Sequence, residues 1–178
     1  MALERFERAR DGYLISSDPS LLSLDVINTA FGSKSLHWCT PLPREALRTA
    51  LNNSYCLGVY DMASGCPAQV GFARLITDYV TLAYVTDVFI LPPHQDRGLG
   101  NWLVECAAEL LVGKRYLRKV MLMAEVGPAE DYYTKKLSAR RAETVEDGMV
   151  SLWLEGPAAY GLNVKDSTGV WAGPRAKL

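Results

Sequence analysis

DVFILPPHQDRGLGNWL, residues 87–103, is the stretch on which the fold turns. It closes an apolar, β-branched and aromatic run from Leu82 to Leu91 that stops at Pro92-Pro93. It then opens a second run, NWLVECAAELLV, in which Leu103, Val104, Ala107, Leu110 and Leu111 recur at helical spacing. The passage is therefore strand, turn, helix. A helix entered this way leaves its first N–H groups without intrahelical acceptors, and its dipole favours negative charge there. Gly98 and Gly100 have no Cβ, so phosphate oxygens can come close to the main chain, and Arg97 can add charge-assisted bonds at the rim. The turn Gln95-Asp96-Arg97-Gly98-Leu99-Gly100 suits a diphosphate; read as bare glycines, it is equally a tight strand-to-helix connection. A dinucleotide fingerprint is not met, because Leu103 stands where G-x-G-x-x-G needs its third glycine and antiparallel strands precede the turn.

Working upstream, YCLGVY and QVGFARLIT are β-rich runs separated by DMASGCPA, which reads as an antiparallel hairpin with a long turn. YLISS, from Tyr13 to Ser17, predicts a short first strand. Asp18-Pro19 behind it is a helix-start signal, followed by Leu21, Leu22, Leu24, Ile27 and Phe31 at helical spacing. A second helix is expected from Pro43 to Asn53, with Pro43 in its first turn. Downstream, Gly113 stops the long helix, KVMLMAE reads as a buried strand, AEDYYTKKLS as a helix and MVSLWLE as a closing strand. Residues 156–178 are rich in Gly, Pro and small residues and read as an extended tail on a domain spanning 1–155.

The chain has 178 residues, of which 49% are hydrophobic and 22% charged, with a formal net charge of −1; one globular domain is expected. That balance and the scattered Lys and Arg argue against nucleic-acid binding, and no apolar run approaches the roughly 20 residues that cross a bilayer. The opening MALERFERARDGY lacks the apolar segment of a secretory signal, so a cytoplasmic location is expected. Cys39, Cys56, Cys66 and Cys106 form no C-x-x-C pair, which disfavours a metal site or a disulfide framework.

Gln95 to Gly100 match the [QR]-x-x-G-x-[GA] signature of the GNAT acetyltransferases, and Ile90-Leu91-Pro92 matches the V-x-P approach to it. With the element order, the chain resembles that superfamily over residues 12 to 155. The resemblance implies an α/β GNAT fold. Its central sheet would be mixed but mostly antiparallel, with six to seven strands flanked by about four helices and splayed at a bulge between the fourth and fifth strands. It implies acetyl-CoA as cosubstrate, with backbone groups of Val88, Phe89 and Ile90 bonding the pantetheine arm and Gln95, Asp96, Arg97, Gly98, Leu99 and Gly100 holding the diphosphate. A backbone N–H near Phe89 or Ile90 would polarise the thioester carbonyl.

By the family's aromatic-Tyr landmark, Tyr132-Tyr133, the resemblance makes Tyr133 the acid that protonates the departing thiolate; without it, a helix tyrosine packs its ring on the sheet. Two positions depart from the family pattern: Val126 stands where an Asn is common, and Ser138 where a Gly is expected. Asp87 is an acid in an apolar strand, costly without a purpose or a partner, and aligns with the amine-binding aspartate of diamine acetyltransferases. It reads equally as a residue bonded to backbone at the bulge. Trp38, Arg74 and Tyr84 are candidates for the substrate side, with Arg74 alternatively pairing with Asp78 across the hairpin. The expected activity is direct acetyl transfer to a primary amine, small or peptidic, by a monomer or homodimer; a non-catalytic acyl-CoA-binding module is the alternative.

Overall fold

A computed structural model of the protein describes residues 5–36, 39–144 and 149–155. The elements in chain order are β1 Glu7–Arg10, β2 Tyr13–Ser16, α1 Leu24–Phe31, α2 Arg44–Asn52, β3 Tyr55–Asp61, β4 Ala68–Thr77, β5 Leu82–Ile90, α3 Leu99–Val112, β6 Lys119–Glu125, α4 Pro128–Leu137, β7 Arg140–Thr144 and β8 Met149–Glu155. Hydrogen bonding links eight strands in the order β1-β2-β3-β4-β5-β6-β8-β7. The chain divides into two compact units, one of Met1–Ile76 and Thr86–Ala107, the other of Thr77–Val85 and Ala108–Leu178, with β5 and α3 each running through both.

In the first unit β1 to β4 form an antiparallel meander, in register at Glu7↔Ser16, Tyr13↔Asp61 and Tyr55↔Leu75. The amphipathic stripes of α1 and α2 supply Ile27, Phe31, Leu47 and Leu51 to a core with Phe72 and Phe89 from the sheet. Each such side chain, fully buried, contributes about 1.5–3 kcal/mol. In the second unit the first half of β5 pairs with β6 in parallel, from Leu82↔Lys119 to Val85↔Leu122, and β8 pairs antiparallel with both β6 and β7. Asp78 shapes the turn into β5: its carboxylate accepts from the N–H groups of Val80, Thr81 and Leu82 and from the Thr81 hydroxyl. The Thr81 hydroxyl, followed by these amides, holds the carboxyl well below the usual carboxylate range.

Three expectations shift. The sheet has eight strands rather than six to seven, because β1 and β7 join at its two ends. Asp18 caps only a short 3₁₀ turn at Pro19–Leu21, and α1 starts at a second cap, where Ser23 Oγ accepts from Val26 N at 3.3 Å. Pro43 is the N-cap of α2 and not part of its first turn. The splay falls between the two strands anticipated for it, now β5 and β6 because β1 precedes them. The tail at 156–178 lies outside the described residues.

Candidate active site

The site begins where β5 stops being an ordinary strand. Its ladder to β6 ends at Val85, and two residues on Asp87 takes φ +52°, the left-handed region, which costs a non-glycine residue roughly 1–2 kcal/mol. This left-handed kink lies just beyond the last β5–β6 pair. Asp87 is only 7% exposed, and its charge is met by a partner: Oδ2 accepts from Arg74 Nε at 2.6 Å, while Oδ1 accepts from Thr86 Oγ1 at 3.2 Å. Burying a carboxylate without such partners is costly. Arg74 therefore pairs with Asp87 on β5, and Asp78 is occupied by its own turn. Beyond the kink, Phe89 is buried, and Val88 and Ile90 are half-buried.

The turn that follows is tied to the end of β5. Gln95 Nε2 donates to Ile90 O at 2.8 Å, so this side chain closes the loop on the strand. Asp96 and Gly98 both adopt left-handed backbone, φ +60° and +72°, and Leu99 starts the 14-residue α3 immediately after. Gly98 meets that demand without steric cost; Asp96 does so at the expense typical of a short polar residue. Two guanidinium groups stand at the turn. Arg97 Nη1 donates to Tyr13 Oη at 2.8 Å, and Nη2 reaches Pro93 O at 3.4 Å. Arg10, on the charged edge strand β1, lies 4.6 Å over the Trp102 ring and directs Nη2 at Gly98 O, 3.4 Å away. Sequence reasoning named Arg97 and missed Arg10 and Tyr13, since a residue's role at a distant loop leaves no periodic signal; it also missed Thr86, whose bond to its neighbour Asp87 depends on the local backbone.

The first unit thus gathers Arg74, Asp87, Val88 to Ile90 and Gln95 to Gly100, whereas Tyr84 and Tyr133 belong to the second. Tyr84 lies opposite Met121 in the parallel ladder. Tyr133 is on α4, which opens with Glu130 and Asp131 and closes with Lys135 and Lys136, charges that complement its dipole. Glu130 grips Arg141 of β7 through two bonds of 2.7 and 2.6 Å. The Tyr133 ring packs edge-on against Tyr132, 5.0 Å between centroids, and burial pushes its phenol above the ordinary value, so it stays protonated at neutral pH. Ser138, in place of the glycine expected from the family pattern, ends α4 at φ +52°, the left-handed cap position that glycine fills without strain. Val126 is 46% exposed. Trp38 lies outside the described residues. The Cys56 thiol donates to Leu51 O and is pushed up to about 12 by burial, the mark of an inert core thiol.

A parallel ladder that stops partway along β5, a left-handed kink beyond it and a glycine-bearing turn into α3 are the features that the GNAT resemblance led us to expect. Residues 26–138 match the acetyltransferase (GNAT) family. A Gibberella zeae protein named as an acetyltransferase is 43% identical over 128 residues, 64% of this chain and 72% of that one. The crystal structure of an acetyltransferase assigned to the GNAT family from Xanthomonas campestris pv. campestris is 31% identical, with a TM-score of 0.59 over 71% of this chain and 84% of that one. Spermidine N-acetyltransferase from Vibrio cholerae, in complex with CoA and spermine, has a TM-score of 0.61 over 81% of this chain and 95% of that one; at 16% identity the likeness is one of fold. The chain belongs to the GNAT acetyltransferase family and is an acyltransferase. Among the described residues, no helix is long and apolar enough to cross a membrane, and no group of three or more His, Cys, Asp and Glu could hold a metal ion.

Proposed function

We propose that the protein transfers acetyl from acetyl-CoA directly to a primary amine, of a small molecule or a peptide, in a ternary complex and without a metal ion. The observation that carries this reading is the turn ahead of α3, where left-handed Asp96 and Gly98 turn main chain toward a helix start flanked by Arg97 and Arg10. Such a turn suits an anion, and the diphosphate of CoA is the anion that this family's chemistry requires. Gln95 contributes by holding the loop on Ile90, and Val88 to Ile90 offer main chain beyond the end of the ladder to the pantetheine arm.

In the proposed reaction the neutral amine attacks the thioester carbon and the carbon–sulfur bond breaks. The thiolate takes the Tyr133 proton, and the nitrogen loses its own to Asp87 or through water. Asp87 is the amine-side group: among the described residues its Oδ1 accepts only from the Thr86 hydroxyl, which leaves lone pairs for an ammonium. The reading includes a cytoplasmic location, for which the four free thiols speak, and a monomer or homodimer. Tyr133→Phe tests the chemistry: thiol release falls roughly hundredfold or more while calorimetric acetyl-CoA affinity holds. Unchanged turnover removes Tyr133 from the mechanism.

A further inference from the structure

We propose that the acceptor is an α-amino acid, and that Arg74 binds its carboxylate while Asp87 receives its ammonium. This rests on the acetyltransferase reading above and adds the acceptor's chemistry to it. A guanidinium carries five N–H donors in a rigid plane, and only Nε of Arg74 is used, by Asp87 Oδ2 at 2.6 Å. The Nη1 and Nη2 groups have no protein partner among the described residues, and neither nitrogen is sealed from solvent. Their end-on edge matches the two oxygens of a carboxylate.

That edge is held in place before any ligand arrives. Asp87 is buried, fixed at a left-handed kink and bonded on its other oxygen by Thr86, so it orients the guanidinium as an outer partner orients a binding group. Arg74 stands opposite Cys56 of β3, and Phe72 and Phe89, two positions along each strand, belong to the core under α1 and α2. Asp87 directly precedes Val88 to Ile90, the main chain proposed for the cosubstrate arm, so a ligand on the pair is beside the strand segment that carries the thioester.

Charge selects the class. Arg74 and Asp87 already offset one another's charge, so an ammonium without a carboxylate beside it gains less from Asp87 than it would from a lone carboxylate. An α-amino acid carries an ammonium and a carboxylate on one carbon, and the pair offers a carboxylate and a guanidinium in direct contact. The two dipoles are complementary, sign for sign.

The test is CoA release from wild type with matched acceptors that differ only in the α-carboxylate: phenylalanine against phenethylamine, lysine against cadaverine, alanine against ethylamine. For at least one pair we expect kcat/KM for the amino acid to exceed that of its decarboxylated partner by about tenfold or more. Arg74→Lys keeps a cation beside Asp87 but loses the fork, and should bring that ratio toward one, chiefly through KM. Arg74→Gln should do the same; if it fails to fold, Arg74→Lys carries the test, with circular dichroism and acetyl-CoA binding verifying its integrity. A wild-type ratio of one or less in every pair, release with none of the pairs, or an unchanged ratio in Arg74→Lys overturns the inference. If acetyl-CoA itself fails to bind, the acetyltransferase reading falls and takes this inference with it, whereas binding without the preference overturns the inference alone.

Discussion

Asp78 and Asp87 flank the first half of β5 and show two different uses of a carboxylate. Asp78 is exposed, and the donors that bond it come from Val80, Thr81 and Leu82, within its own turn. Asp87 is buried in left-handed backbone, and its charge is met by Arg74 from the neighbouring strand. The first is satisfied by its own turn and explained by it. The second combines two local costs, an unfavourable φ and a buried charge, at the place where the parallel ladder has just ended, and such costs concentrate at functional positions.

The sharpest way to break this contrast is stability. Arg74→Ala leaves Asp87 buried and unpaired and should cost about 3–5 kcal/mol in urea unfolding. Asp78→Ala removes an exposed turn cap and should cost about 1 kcal/mol. Equal losses would mean that the Arg74–Asp87 pair is no more special than the turn.

The same distinction applies to two left-handed glycines. Gly98 at φ +72° precedes α3, and Gly65 at φ +79° sits in the β3–β4 hairpin turn with open space around it. Substituting Val at either forces similar backbone strain, about 1–2 kcal/mol. Only Gly98→Val should weaken acetyl-CoA binding, by roughly tenfold or more in calorimetry, with Gly65→Val unchanged. A matching loss in both variants would trace the effect to general destabilisation.

Acid titration separates the carboxylates further. The folded-state pKa of Asp78 lies below its unfolded value, so its contribution to stability is present above pH ~4 and is lost as pH falls through the folded value. Asp78→Asn should therefore flatten the acid limb of the stability profile below pH ~4. A wild-type slope retained in that variant would assign acid sensitivity elsewhere. The smallest expected effect is at the end of α4, where Ser138→Gly relieves a left-handed cap and should raise stability by up to about 1 kcal/mol, read as a small increase in Tm.

Most of the fold was legible because its central strands and helices bury apolar residues with a period. The strands that escaped, β1 and β7, are edge strands reading ERAR and RRAET, charged segments of the kind that protect sheet edges and carry no hydrophobic alternation. The turn at Gln95 to Gly100 was legible from its glycines and from the helix behind it. Apart from the bulge that the family resemblance implied, the kink was legible only as an acid out of place at position 87, because nothing in an apolar strand announces a positive φ. Arg10 reaches Gly98 from one of the unread strands, and the Arg74–Asp87 pair depends on which residues β4 and β5 bring side by side, a matter of register that composition does not carry.

Titration of the purified protein with acetyl-CoA in a calorimeter reaches the central claim most directly. Saturable binding to one site per chain, weakened as salt is raised and weakened again by Gly98→Val, is the result expected if main-chain amides and guanidinium groups at the start of α3 hold a diphosphate, as proposed. Absence of any heat of binding with acetyl-CoA and with CoA alike would contradict it.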